Sequence, residues 1–232
     1  MDNTPPVTKN LIIINILCFF AAIVAEKYGV DLNDVLGLHY FESDKFRLYQ
    51  LFTYMFMHSG FEHIFFNMFA VWMFGRILET VWGSQRFLFY YVLCGMGAGL
   101  VQEVTQYFEF LPVMHDMAQF LTFPSDASIP INGTTHSAEQ WVAICQRIIS
   151  VPTVGASGAV YAILMAFGMM FPNQEIFIIP LPMPIKAKWL IIGYFVLELG
   201  MGIMSNDGIA HFAHLGGMIF GFLLIMYWRK KG

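Results

Sequence analysis

Six long apolar runs recur along the chain, and they restrict its fold more than any other feature of the sequence. They cover about residues 10–25, 61–78, 87–107, 152–171, 187–204 and 209–228. A helix that crosses the hydrocarbon core of a membrane needs ~20 mostly apolar residues. Of the 232 residues, 57% are hydrophobic and 12% are charged, whereas about a quarter are charged in soluble domains. The sequence therefore predicts an all-α, polytopic membrane protein with six spans and the lipid bilayer as its main surroundings.

The connections between the runs predict a single membrane-embedded domain over residues 1–232. Two of them are long, at about residues 30–57 and 108–151. The first has enough apolar residues to dip into the membrane interface. The second contains the turn signal Asn132-Gly133, and residues 137–149 have the pattern of a short amphipathic helix. Prolines at alternate positions exclude a helix between residues 176 and 185, so an extended segment is predicted there.

Charge and cysteine content narrow the classes of partner. The net charge is -4 without a basic stripe, so a nucleic acid is not expected. Cys18, Cys94 and Cys145 form no Cys-x-x-Cys pair, which argues against a disulfide framework or a zinc ribbon. With the N-terminus inside, the inner segments hold eight lysines and arginines and the outer segments hold four. This bias predicts that both termini are cytoplasmic. The first run is expected to be retained as a span, because the N-terminus has no basic region and no small-residue cleavage site lies near the run.

Polar side chains inside three of the runs are the strongest indication of function, because polar groups are costly in hydrocarbon. Within each run they lie three or four residues apart, so each pair shares one face of a helix. They are His63 and Asn67 in the second run, Ser157 and Tyr161 in the fourth, and His211 and His214 in the sixth. A hydroxyl and an imidazole suffice for nucleophilic catalysis. A carboxamide or a second imidazole can stabilise the oxyanion that develops.

Small residues indicate which runs pack closely. Gly155 and Gly158 flank Ser157, and Ala213, Gly217 and Gly221 recur every four residues in the sixth run. Such a stripe lets two membrane helices approach closely. The stripe therefore predicts a tight contact between the fourth and sixth spans, which would bring His214 to Ser157.

Each of these features also has a structural interpretation. Glycines around a serine in an apolar helix can serve packing alone, and Asn67 and the face that carries His63 can hold neighbouring helices together through hydrogen bonds. Only the conjunction of the three sets, in this order, favours a catalytic site.

In that order the motifs resemble those of the rhomboid family of intramembrane serine proteases. Residues 58–67 read His-Ser-Gly-Phe-Glu-His-Ile-Phe-Phe-Asn, like the family pattern His-x-x-x-x-His-x-x-Phe-Asn. Residues 155–158 match Gly-x-Ser-x, and residues 213–221 match Ala-His-x-x-Gly-x-x-x-Gly. The turn at residues 75–84 is also similar to the family's. The resemblance extends over residues 48–228.

This resemblance implies a six-helix bundle that needs no cofactor and no metal. Ser157 would be the nucleophile and His214 the base of a dyad without an acid, Tyr161 would support His214, and His63 and Asn67 would line the oxyanion hole. The substrates would be single-span membrane proteins that enter beside the fifth span and the loop at residues 205–208. Many members have Trp-Arg in the first loop, where this chain has Tyr49-Gln50. The short tails favour a bacterial inner membrane.

Two other functions remain open from the sequence. One is a His-based metal transporter or metalloprotease that uses His58, Glu62, His63, His211 and His214, although His58 and His63 are spaced poorly for one helical face. The other is a catalytically inactive rhomboid-like protein that binds membrane clients. Labelling by a serine-directed probe would distinguish these functions from a protease.

Overall fold

The computed structural model describes residues 4–120, 129–131, 134–136, 151–177, 183–204 and 210–231. The all-α prediction is confirmed. The helices are α1 (Pro6–Lys27), α2 (Leu32–Leu36), α3 (Gln50–Thr53), α4 (Phe61–Ala70), α5 (Arg76–Trp82), α6 (Ser84–Phe120), α7 (Ser157–Met170), α8 (Ala187–Met204) and α9 (His211–Lys231). A 3₁₀ turn (Tyr54–Phe56) follows α3, and a π-helical turn (Val71–Gly75) joins α4 to α5.

Two short antiparallel strand pairs complete the described secondary structure. Strand β1 (Ile129–Ile131) pairs with β2 (Thr134–His136) on either side of the predicted turn. Strand β3 (Glu175–Ile176) pairs with β4 (Ile185–Lys186), at the two ends of the segment predicted to be extended. The turn itself, the amphipathic helix predicted at residues 137–149 and the loop at 205–208 lie outside the described residues.

Five helical segments of the described chain are long and apolar enough to cross a membrane. They are Pro6–Lys27, Phe61–Trp82, Ser84–Leu111, Ala187–Met204 and His211–Lys231. The fourth predicted span forms the shorter helix α7, which has 14 residues and is ~21 Å long. It begins at Ser157, later than predicted, because Thr153 pairs with Leu38 as an isolated antiparallel bridge.

Helix α6 corrects the predicted start of the second long loop. The loop was expected from about residue 108, but the helix continues to Phe120. The first loop supports this extension from the side. The Phe41 amide donates to Glu103 Oε2 at 2.8 Å, and the Tyr40 ring packs edge-on against Phe110 at 5.7 Å. Packing against the loop therefore stabilises the helix beyond the end of its apolar run.

The connection at residues 30–57 is folded against the helices. It contains α2, α3 and the 3₁₀ turn, and it buries Leu38, Tyr40, Tyr54 and Met55. The buried Gln50 side chain accepts hydrogen bonds from the amides of His39 and Arg47 and donates to the carbonyls of Val35 and Lys45. Gln50 thus holds this segment together through four hydrogen bonds.

Glu79, near the end of the second span, ties three helices together. Its carboxylate accepts hydrogen bonds from the backbone amides of Val7 and Thr8 at the start of α1, at 2.9 and 2.7 Å. It also accepts hydrogen bonds from the hydroxyls of Thr8 and Ser84. A carboxylate at a helix N-terminus satisfies free amides and interacts favourably with the helix dipole. The turn after the second span therefore has a structural role.

Helix α7 lies at the centre of the bundle. It packs against α6, α8 and α9, and most of its residues are buried. The Tyr90 hydroxyl of α6 donates to the Ala162 carbonyl of α7 at 2.7 Å. By contrast, α1 and α8 leave most of their surface exposed, as expected for helices at the lipid boundary. The residue that opens α7, Ser157, is thus partly buried next to the centre of the bundle.

Candidate active site

Ser157 is the first residue of α7, and the backbone before it is fixed by the first loop. Leu38 and Thr153 exchange two backbone hydrogen bonds, at 2.9 and 2.8 Å, and the Gly155 amide donates to the Tyr54 carbonyl at 2.9 Å. Gly155 has φ of 128°, a conformation that favours glycine. The sharp turn at Gly155 lets the extended chain enter α7 directly at Ser157.

Ser157 and His214 are in direct hydrogen-bond contact. His214 Nε2 lies 2.8 Å from Ser157 Oγ, although the two residues are 57 positions apart. The glycines explain this approach, because a Cβ atom at Gly217 would collide with the Gly158 carbonyl. A Cβ atom at Gly221 would likewise meet the Ala162 backbone of α7 at 3.3 Å. The predicted contact between the fourth and sixth spans is therefore confirmed.

Tyr161 stacks on His214. Its ring is nearly parallel to that of His214, with centroids 4.3 Å apart and an angle of 10° between the planes. Ser157 and Tyr161 lie one helical turn apart on α7, so one helix presents the hydroxyl and also fixes the imidazole plane. This is the position that the sequence resemblance implied for Tyr161.

His63 lies beside the serine on the other side of the turn. A Cβ atom at Gly155 would be 2.6 Å from His63 Nε2 and 3.6 Å from Ser157 Oγ, so both groups border the same small space. His63 Nδ1 lies 3.1 Å from Ser59 Oγ. The neighbouring His58 ring packs edge-on at 5.0 Å. Burial, and secondarily the nearby His63, lowers the pKa of His58 to about 3, so His58 remains neutral near pH 7.

Asn67 lies one turn further along α4, on the same face as His63. It is buried, with 5% of its surface exposed, and its amide nitrogen Nδ2 has no hydrogen-bond partner among the described residues. An unpaired buried donor is costly. Asn67 therefore retains a free donor on the face that His63 presents towards Ser157.

The comparison with known protein families agrees with these features. The family model of the rhomboid domain matches residues 45–231, which is most of the chain. This protein belongs to the rhomboid family. Every rhomboid motif discussed above lies within the matched range.

Relatives of this rhomboid come from bacteria and from organelles. Rhomboid protein 1, mitochondrial, of Saccharomyces cerevisiae is 27% identical over 75% of this chain and 40% of its own length. Rhomboid protease AarA of Providencia stuartii is 26% identical over 73% of this chain and 52% of its own length. Rhomboid protease GluP of Bacillus subtilis is 25% identical over 75% of this chain and 25% of its own length. The chain thus spans about half or less of the length of these three relatives.

One residue at the site of this rhomboid was missed by the sequence analysis. Glu198 of α8 is 8% exposed, and its Oε2 lies 2.9 Å from His214 Nδ1 and 2.7 Å from His211 Nδ1. The Tyr161 hydroxyl donates to Oε1 of the same carboxylate. A signal was available, because Glu198 is the sole acidic residue in the fifth apolar run and ionisable groups there need a reason.

The same cluster is a possible cation site. One ligand atom from each of Glu198, His211 and His214 lies within 4.8 Å of the others. This set differs from the one weighed in the sequence, which lacked Glu198 and included residues of α4. Two imidazoles and a carboxylate are donors that zinc accepts. Here, however, both imidazole nitrogens lie at hydrogen-bond distance from a single carboxylate oxygen.

Proposed function

We propose that this rhomboid is an intramembrane serine endopeptidase that cleaves membrane-spanning segments of other proteins. The observation that carries the proposal is the 2.8 Å contact between His214 Nε2 and Ser157 Oγ. Family membership and the rhomboid proteases among the relatives support the reaction class. Ser157 is the nucleophile and His214 the general base.

In the proposed reaction Ser157 Oγ attacks the scissile carbonyl carbon while its proton passes to His214 Nε2. The tetrahedral intermediate then collapses, the C–N bond breaks, and the imidazolium returns the proton to the leaving amine. Water attacks the acyl-enzyme in the same way and releases Ser157. None of these reaction steps needs a redox partner or a cofactor, so none is included in the proposal.

Three donors are proposed for the oxyanion. The ring of His63 borders Ser157 on the α4 side. Asn67, one turn further along the same face of α4, has an amide donor without a partner among the described residues. The backbone amide of Ser157 belongs to the first turn of α7, where amides have no partner within the helix. Donors already aimed at the developing charge are typically the largest contribution to such catalysis.

The short α7 supports a site within the membrane thickness. A helix of ~21 Å cannot cross a hydrocarbon core of ~30 Å. If the Met170 end of α7 lies at one interface, Ser157 lies several ångströms inside the other. We propose that single-span substrates approach laterally beside α8, and that water reaches Ser157 from the nearer face.

The orientation of the protein is likewise proposed. The Met170 end of α7 is close to the basic end of α9, because Arg229 donates to the Met169 carbonyl at 2.7 Å. By the positive-inside rule this end faces the cytoplasm, together with both termini. A bacterial inner membrane stays a prediction, since the relatives include bacterial, mitochondrial and chloroplast proteins. Cysteine accessibility in spheroplasts tests the orientation.

The decisive experiment combines a probe and a substrate. The purified chain in detergent is treated with a small serine-directed electrophile, and cleavage of a single-span reporter is measured in parallel. We expect labelling at Ser157 and cleavage, with both lost in Ser157→Ala. Cleavage should also survive a strong chelator. Binding of the reporter without cleavage or labelling would favour the client-binding alternative, and activity that needs zinc would favour the metal one.

A further inference from the structure

Glu198 is a buried carboxylate on a helix whose other buried residues are the apolar Ala187 and Ile191. Trp189, Ile192 and Val196 on α8 are more than half exposed, whereas Glu198 is 8% exposed. Burying a carboxylate is unfavourable unless its oxygens are hydrogen-bonded. Here the side chains of Tyr161, His211 and His214 surround it. This arrangement concentrates three polar partners on one acidic group next to the candidate base.

The hydrogen bond from His214 determines which nitrogen of the imidazole carries the proton. A carboxylate only accepts hydrogen bonds, so His214 Nδ1 must donate to Glu198 Oε2 at 2.9 Å. In the neutral ring Nε2 is then the unprotonated nitrogen, and it is the one facing Ser157 Oγ. A general base must present a lone pair to the proton that it removes. The carboxylate therefore holds the ring in the form that can act as a base.

We propose that Glu198 is a positioning residue for the base, so that the working unit is Ser157–His214–Glu198 and not the pair alone. This inference rests on the proposed function. Glu198 fixes the tautomer and ring orientation of His214 and stabilises the imidazolium that forms when Ser157 attacks. It does not itself take up the proton, in the same way as the aspartate of a serine–histidine–aspartate triad.

Two neighbours hold the carboxylate in place. His211 Nδ1 lies 2.7 Å from Oε2, the oxygen that His214 also uses. Tyr161 donates to the other oxygen, Oε1, while its ring stacks on His214. With both oxygens engaged, the carboxylate cannot rotate away from the base. Tyr161 and His211 thus act on His214 through Glu198, a role that their sequence positions did not reveal.

The distances favour hydrogen bonding over a shared metal ion. Charge-assisted N–H···O contacts measure about 2.7–2.9 Å, which matches both contacts to Oε2. A tetrahedral zinc ion with ligands at ~2.0–2.2 Å keeps those ligands roughly 3.3 Å apart. A cation at this cluster would also occupy His214 Nδ1, so this nitrogen could no longer donate its hydrogen bond to Glu198.

The test compares Glu198→Gln with Glu103→Gln in the full chain. Glu103 is also a buried carboxyl group in a membrane helix, and it accepts a hydrogen bond from the Phe41 amide at 2.8 Å, so it controls for the replacement of a buried carboxyl group by an amide. We expect Glu198→Gln to lower kcat by ~10²–10⁴-fold with KM changed less than about threefold. Glu103→Gln should leave kcat near the wild-type value. Glu198→Asp, which keeps the carboxylate, should recover at least about tenfold over Glu198→Gln.

The outcomes separate this inference from the proposed function. Wild-type kcat in Glu198→Gln, with Ser157→Ala inactive, would overturn the role of Glu198 and leave the serine mechanism standing. Full activity in Ser157→Ala would overturn the proposed function itself. If Glu198→Gln does not fold, Glu198→Leu, which fills the space without a polar group, takes its place, and a normal kcat in Glu198→Leu overturns the role. Wild-type activity lost in a chelator and restored by zinc would assign the cluster to a cation instead.

Discussion

His214 is constrained on three sides by residues from two other helices, α7 and α8. The ring face lies on Tyr161, Nδ1 bonds to Glu198 and Nε2 bonds to Ser157. None of these partners is on the same helix as His214. Its position therefore depends on tertiary packing, and substitutions that leave the pair itself intact can still disturb it.

Opposite the base, His63 and Asn67 are expected to act on the oxyanion. Replacing either with alanine should lower kcat by ~10²–10³-fold, with a smaller change in KM, because a donor to the transition state is lost. Steady-state cleavage of a single-span reporter measures both constants. The two effects need not add, since both donors can serve one oxygen.

Asn15→Ala is a matched control for this pair. Asn15 is also a buried amide in a membrane helix, where it donates to the Leu11 carbonyl at 2.8 Å, so its loss should affect stability and not kcat. Near-normal turnover in the His63→Ala/Asn67→Ala double variant would remove these residues from the site.

Between whole elements, the contact of α7 with α9 sets the distance from Ser157 to His214. Gly217→Val would place a branched side chain against the Gly158 carbonyl, which a close-packed pair cannot absorb without separating. A displacement of ~1 Å can cost ~10²-fold in rate. We expect a loss of activity larger than the change in thermal stability, from proteolysis and melting measured side by side.

Gly193→Val on α8 is the control, because a Cβ atom there has nothing within 4 Å. Gly97 in the third span has no candidate catalytic residue beside it in the sequence, but Phe220 lies 2.5 Å from where its Cβ would be, so it is unsuitable as a control. Full activity in Gly217→Val would mean that this contact does not position the base.

The first loop acts on the site through the backbone before Ser157. Gln50→Leu would leave the amides of His39 and Arg47 and the Lys45 carbonyl without their partner. It would also remove one of the two hydrogen bonds to the Val35 carbonyl. Each buried group left unpaired costs ~1–3 kcal/mol. We expect a lower melting temperature together with lower activity, as the bridge between Leu38 and Thr153 loosens.

Tyr49→Phe provides the comparison for Gln50→Leu. It removes one hydrogen bond, from a half-exposed side chain to the Val35 carbonyl, and should change stability by less than about 0.5 kcal/mol. Equal melting temperatures for the two variants would show that Gln50 does not organise the loop.

The sequence was most informative where the signal lay within one helix. Apolar runs located the spans, and residues four apart on one face identified His63, Asn67, Ser157 and Tyr161. Glu198 was missed because its partners come from α7 and α9, and a lone carboxylate in an apolar run has no periodic companion. The fold of residues 30–57 was missed for a related reason. Its folded structure depends on the hydrogen bonds of Gln50 and on the pairing of Leu38 with Thr153, which is over 100 positions away.

At the scale of the whole molecule, the short central helix links the depth of the site to the bilayer. Longer helices surround α7, and in the proposed arrangement they cross the membrane while Ser157 lies below one surface. Cleavage in vesicles of long-chain lipids should be slower than in short-chain lipids, because a thicker hydrocarbon core places Ser157 further from water. Labelling of Ser157 by the serine-directed probe in detergent, where no bilayer limits access, is the reference for these rates. Equal cleavage rates at all thicknesses would contradict a buried site.

Glu198 also makes the exposed helix α8 part of the chemistry. A hydrogen bond is lost beyond about 3.5 Å, so a modest outward movement of α8 would withdraw the carboxylate from His214. In the proposed mechanism substrates enter beside this helix, and the base would lose its support while the entrance is open. Cleavage would then depend on the position of α8, and it would resume when the helix returns and Glu198 again bonds to His214. Segments slim enough to let α8 close would be cut faster than bulky ones, however tightly the bulky ones bind.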